Sequence, residues 1–264
     1  MKTVLITGIT GFLGCHIAEN LINDNYIVIG LKRQQSNIWR CDSFKDKIIW
    51  IDIDDNQNYK KKLLKFNIDI IIHGAWIGVE ANDRNNWKVQ SQNINFLIEL
   101  LQLSEELSLK KFIFLGSQAE YGNINGIIDE EQNCEAISAY GSVKLACLEL
   151  LKTFSDSHKM TWIWLRLFSL FGEKENNNWL IPSIEQTNDS PEVKAILQQY
   201  ISLIKLLNQK MVSNDDIKKI SHNDRVCYFS LMLMKEKYNS TVFLYGYPEL
   251  NHQPKSSKEI TFFA

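Results

Sequence analysis

The chain has 264 residues, 45% of them hydrophobic and 23% charged, with a formal net charge of −2. That length is ample for a buried core, and the near-neutral charge excludes the global basic field that draws nucleic acid. No stretch approaches the ~20 apolar residues of a membrane helix, so neither a nucleic acid nor a membrane is an expected partner.

The opening MKTVLITG reaches a glycine after a short apolar run, without the basic lead or long apolar centre of a secretory leader. A cytoplasmic location is the expectation. The five cysteines (Cys15, Cys41, Cys134, Cys147, Cys227) are scattered, with no CxxC pair and no histidine at ligand spacing. They read as structural thiols, and no metal site is expected.

Short apolar runs then alternate with amphipathic stretches. The runs are TVLITG (3–8), YIVIGL (26–31), IIWIDI (48–53), IDIIIHG (68–74), KFIFLGS (111–117) and WIWLRLF (162–168). Near-continuous apolarity over so few β-favouring residues is the pattern of parallel strands covered on both faces. Between them Leu13, Ile17 and Leu21 recur at helical spacing, as do Ile94, Leu97 and Leu101, and then Val143, Cys147 and Leu151 within 137–154. Lys60, Lys61 and Lys62 read as the solvated face of a helix. The alternation predicts an α/β fold, a doubly wound parallel sheet with right-handed crossovers.

The rhythm ends near Gly172, which divides the chain into a nucleotide-binding domain at 1–172 and a small, atypical substrate lobe at 173–264. In the lobe 192–211 reads as an amphipathic helix and TVFLYGYPEL (241–250) as a late strand.

Gly8, Gly11 and Gly14 lie between the first predicted strand and the first predicted helix. A tight glycine turn there brings a pyrophosphate to the N–H groups and positive end of the helix, where Phe12 and Leu13 stand. In an NAD site an acidic residue ends the second strand and binds the ribose hydroxyls. Here Lys32 and Arg33 occupy that end with no carboxylate beside them in sequence. Two cations suit an adenosine 2′-phosphate, so NADP(H) is favoured over NAD(H). Asp52 and Ile53, ending the third run, are placed to border the adenine.

Tyr140 and Lys144 are four apart on a predicted helix and project from one face. A phenol titrates near ~10, and an adjacent ammonium lowers that value. Tyr140 is therefore a candidate proton donor and acceptor. Ser117 ends the fifth predicted strand, where carboxyl ends of parallel strands face the ligand crevice. Its hydroxyl can hold a substrate oxygen beside Tyr140. His73 at a strand end reads as a near-core histidine, and Trp50, Trp162 and Trp164 as core.

TGITGFLG, LGSQAEYG, YGSVK and RLFSLFG together resemble an extended short-chain dehydrogenase/reductase of the NAD-dependent epimerase/dehydratase family over about residues 1–185. The resemblance implies a Rossmann fold and a Ser117, Tyr140, Lys144 site, with Lys144 also bonding the nicotinamide ribose. It implies cofactor contacts at Gly74, Ala75, Trp76 and Asn93, and closure of Phe168 over the nicotinamide. It implies a nucleotide-sugar substrate touched by Ser117, Gln118, Trp179 and Leu180, and a homodimer. Dehydratases of this family carry an Asp-Glu pair where this chain has Gln118 and Ala119, which argues against water elimination. The expected activity is NADP(H)-dependent reduction of a keto group, at C4, of a nucleotide-linked deoxysugar. The alternatives are a 4-epimerase that retains NAD, and a cofactor-binding protein of little activity.

Overall fold

The computed structural model describes residues 1–54, 58–123, 132–168 and 170–177, together with short strands at 232–233 and 258–261. Six strands, β1 (Thr3–Thr7), β2 (Ile27–Arg33), β3 (Ile48–Ile53), β4 (Ile70–His73), β5 (Lys111–Ser117) and β6 (Thr161–Leu167), lie in the order β3-β2-β1-β4-β5-β6. Each neighbouring pair among them is parallel. Helices α1 (Phe12–Asn23), α2 (Asn58–Leu63), α3 (Trp87–Glu106) and α4 (Ala139–His158) make the connections. This is the doubly wound parallel sheet that the apolar runs predict.

Side chains leave a strand alternately to its two faces, and β1 shows the result. Val4 and Ile6 join Cys15, Ile17 and Ala18 of α1 in one core, whereas Leu5 joins Leu97 of α3 and Val143, Cys147 and Leu151 of α4 in the other. Covered on both faces, β1 has no solvent side, and all five of its residues are buried. Trp162 and Trp164 are buried core, with Trp164 stacked on Phe114 at a centroid distance of 4.1 Å, and Trp50 packs at the edge of the α1-side core. Lys61 and Lys62 are exposed on α2, and Lys60 lies 3.6 Å from Glu99 on α3.

The chain forms two compact units, with the first break between Leu167 and Phe168. A strand at Lys258–Thr261 follows β6 in the sheet order. In the second unit Phe171–Gly172 pairs in parallel with Met232–Leu233. The predicted helix at 192–211 and late strand at 241–250 lie outside the described residues. Among the described residues no helix is long and apolar enough to cross a membrane.

Candidate active site

The sheet order reverses at β1, which stands between β2 and β4, so a crevice opens at the carboxyl ends of β1 and β4. Gly8 follows β1 with φ +73°, a left-handed conformation that costs glycine little. A Cβ on Gly8 would sit 2.6 Å from the Gly74 carbonyl carbon and the Ala75 nitrogen, so the turn abuts the end of β4. A Cβ on Gly14 would come within 2.1 Å of Gly8 O, so only glycine lets α1 pack this close to the turn. Gly11, the N-cap, is different: an added Cβ would meet only Gly8 O, at 3.1 Å. No side chain caps α1 and its first turn carries no acidic residue. The helix start is thus left open to an anion, and these residues fit a dinucleotide pyrophosphate at the N–H groups of Phe12, Leu13 and Gly14.

The adenosine end departs from expectation. Lys32 and Asp52 face each other across β2 and β3, and Lys32 Nζ donates to Asp52 Oδ1 at 2.5 Å. A carboxylate does stand beside the dibasic pair, brought there by strand register rather than by sequence neighbourhood. Arg33 is exposed, while Ile53 packs partly against the core. Arg40, unremarked in the sequence, reaches Thr10 O at 3.5 Å beside the glycine turn.

The loop after β4 is held by buried amides. Asn93 Nδ2 donates to Ile77 O at 3.0 Å and its Oδ1 accepts from Ile77 N at 2.8 Å. Gln90 Oε1 accepts from Trp76 Nε1 at 2.9 Å, and its Nε2 donates to Gly78 O and Asp83 O. Asn93 therefore shapes the crevice through the loop it latches. His73 is buried, with Nδ1 2.7 Å from Thr7 Oγ1, and burial holds its pKa down to about 3. Thr7 Oγ1 also accepts from Ala75 N at 3.2 Å, so it links the buried ring to the loop after β4. Nε2 has no hydrogen-bond partner among the described residues, and the ring is packed by Phe96, Phe112 and Phe114.

Ser117 ends β5, and the 3-10 turn Gln118–Glu120 follows at once. Glu120 is fully buried: Oε1 accepts from Ser117 N at 2.6 Å, and Oε2 accepts from Trp164 Nε1 at 2.9 Å and Arg166 Nε at 2.8 Å. Gln118 is exposed. With Glu120 committed to this network, no acid-base pair follows Ser117.

Helix α4 begins at the N-cap Ser138, whose Oγ accepts from Gly141 N at 3.1 Å. A Cβ on Gly141 would lie 2.3 Å from Ala119 O. That close approach brings the first turn of α4 against the turn after β5 and sets Tyr140 beside Ser117. The Ser117 hydroxyl lies close enough to the Tyr140 phenol to favour its ionised form. Lys144 is buried one helical turn on: Nζ donates to Leu115 O at 2.7 Å and sits 3.8 Å from the centre of the Trp76 ring. Burial brings the Lys144 pKa down to about 8, against the opposing pull of Glu120 and Cys147.

Here too the structure corrects an expectation. Burial raises the Tyr140 pKa, and the influences that oppose it are the Ser117 hydroxyl and the Arg84 charge. The Lys144 Nζ is turned toward Leu115 O and the Trp76 ring, 5.7 Å from the Tyr140 ring centre. The phenol is held protonated, as a proton donor requires. Phe168 opens the second unit, and Trp179 and Leu180 lie outside the described residues.

A glycine turn before an uncapped helix, with Ser, Tyr and Lys gathered at the neighbouring strand ends, defines a dinucleotide-fold protein of the short-chain dehydrogenase/reductase type. The chain belongs to the NAD dependent epimerase/dehydratase family, whose family model matches residues 4–197. A putative UDP-glucose 4-epimerase of Methanocaldococcus jannaschii is 29% identical over 179 residues, covering 66% of this chain and 57% of the relative. The dTDP-6-deoxy-L-talose 4-dehydrogenase (NAD(+)) of Aggregatibacter actinomycetemcomitans is 24% identical, covering 76% of this chain and 71% of the relative. Among solved structures, the UDP-N-acetylglucosamine 4-epimerase of Methanobrevibacter ruminantium in complex with UDP-N-acetylmuramic acid superposes with a TM-score of 0.63 at 26% identity. That match covers 70% of this chain and 62% of the other, so the chain spans about three fifths of the length of such relatives.

Proposed function

We propose that the chain is an NADP(H)-dependent oxidoreductase that reduces the C4 keto group of a nucleotide-linked deoxysugar. The observation that carries this reading is the half-buried Tyr140, its phenol held protonated, beside Ser117 at the end of β5. When bound, the nicotinamide supplies the hydride. Ser117 Oγ holds the substrate oxygen in line with the phenol, and Tyr140 Oη gives its proton to the alkoxide as charge develops there. The Lys144 ammonium, fixed by Leu115 O and the Trp76 ring, keeps a positive charge beneath the pair. The name of the Aggregatibacter relative, a 4-dehydrogenase of a dTDP-6-deoxy sugar, supports the substrate class. The exposed Arg33 at the end of β2 supports the 2′-phosphate.

The second reading is a nucleotide-sugar 4-epimerase that retains NAD. The ion pair of Lys32 with Asp52 favours it, since it engages one of the two cations at the end of β2 that a 2′-phosphate would use. The names of the Methanocaldococcus and Methanobrevibacter relatives, both 4-epimerases, favour it as well.

The test is consumption of added NADPH and NADH with a panel of nucleotide-linked 4-keto-6-deoxysugars. Reduction is expected with NADPH preferred, and a loss of at least ~100-fold in Tyr140→Phe, the scale of a general acid. Interconversion of C4 epimers without net cofactor use would select the second reading. Unchanged turnover in Tyr140→Phe would refute both.

A further inference from the structure

We propose that Arg84 is a positioning residue that tunes the ionisation of Tyr140 from the mouth of the site. The inference rests on the reading of Tyr140 as the proton donor. Arg84 lies in the loop between β4 and α3, far from any strand end or motif that drew attention in the sequence. Its main-chain carbonyl accepts from Tyr140 N at 2.8 Å, and the neighbouring Asn85 Oδ1 accepts from Ala139 N at 3.3 Å. The loop is thereby fastened to the first turn of α4. Arg84 Nε donates to Val79 O at 3.2 Å, which steadies the guanidinium with its carbon 5.3 Å from the centre of the Tyr140 ring. The terminal Nη groups have no partner among the described residues, so their charge is not claimed by a carboxylate there.

The charges around Tyr140 can be named element by element. From α4 itself comes Lys144, whose Nζ is held by Leu115 O and Trp76. From the turn after β5 come the Ser117 hydroxyl, which favours the phenolate, and the buried Glu120, which opposes it. From the β4–α3 loop comes Arg84, the cation that lowers the phenol. The two cations also differ in how long they last. A guanidinium stays charged at every working pH, whereas Lys144 titrates at about 8. In alkaline solution Arg84 is the lasting positive charge beside the phenol. Because it is exposed, its influence is screened by salt.

The experiment uses the full chain with Arg84→Gln, Arg84→Lys and Tyr140→Phe. One readout is the pH profile of sugar-nucleotide reduction. The other is the tyrosinate absorbance titration of the unliganded protein, taken as a difference against Tyr140→Phe so that one of nine tyrosines is seen. In Arg84→Gln the Tyr140 midpoint is expected to rise by roughly 0.5–1 pH unit, the scale of one charge at this distance in a wet environment. Arg84→Lys should stay near the wild-type value. Added salt should raise the wild-type midpoint and leave that of Arg84→Gln in place. A midpoint unmoved in Arg84→Gln overturns the inference, and so does a change confined to KM for the sugar nucleotide, which would make Arg84 a substrate contact. Full turnover in Tyr140→Phe would instead bring down the proposed function, so the two failures are distinguishable.

Discussion

Glu120 and Arg166 meet inside the protein, Oε2 to Nε at 2.8 Å, with side chains 0% and 3% exposed. The pair sits under the reacting groups, because the same carboxylate accepts from Ser117 N and from the Trp164 indole. Burial pushes the Glu120 carboxyl upward, while Arg166, the Ser117 amide and Lys144 pull it back.

Removing one member of such a pair strands the other charge. Glu120→Gln is therefore expected to destabilise the fold by about 3 kcal/mol, at the lower end of the range for a broken buried pair. Urea unfolding measures it. The double variant Glu120→Leu with Arg166→Met should recover most of that loss but lower turnover, since it alone leaves Ser117 N without its acceptor.

The glycine turn yields a contrast between two equally small substitutions. Gly14→Ala drives a Cβ to 2.1 Å from Gly8 O, a main-chain clash, and is expected to cost roughly 1–3 kcal/mol in stability. Gly11→Ala meets only one atom, at 3.1 Å, and the backbone there (φ −78°, ψ 171°) suits alanine. It should fold normally yet bind dinucleotide at least ~10-fold more weakly, a loss of about 1.4 kcal/mol. Thermal unfolding with titration calorimetry separates the two effects.

His73 supplies a prediction about acid. Its folded pKa is about 3 against an ordinary 6.5. Between those values the unfolded chain binds a proton that the folded chain refuses, so stability is full above 6.5 and falls as pH drops toward 3. The slope from this group is about 1.4 kcal/mol per pH unit. His73→Asn keeps a hydrogen-bonding group for the Thr7 hydroxyl and removes the titration. The difference in unfolding free energy between wild type and variant should therefore shrink or reverse in favour of the variant on acidification. A difference independent of pH would refute the assignment.

The strands were legible because each is short, apolar and bounded by polar or glycine residues; the run at 48–53 and the run at 111–117 are β3 and β5 to the residue. The helix faces were legible for the same reason, and Val143, Cys147 and Leu151 are all buried. That Ser117, Tyr140 and Lys144 lie together could be anticipated because motif spacing is local. What escaped depends on register and on loops. Asp52 meets Lys32 only because β2 and β3 align those residues, twenty positions apart in the chain. Arg84 reaches Tyr140 through a loop whose path is set by the buried amides of Gln90 and Asn93, and nothing periodic marks it. Nothing within LGSQAEYG marks Glu120 as buried, because its partners Trp164 and Arg166 come from a strand more than forty residues later.

The contact of Gly8 with Gly74 has a consequence for engineering. With no room for even one methyl between them, the phosphate turn and the loop that roofs Lys144 are seated as a single casting. Neither can be grafted from a cousin alone: a transplanted loop must arrive with the turn that mates with it.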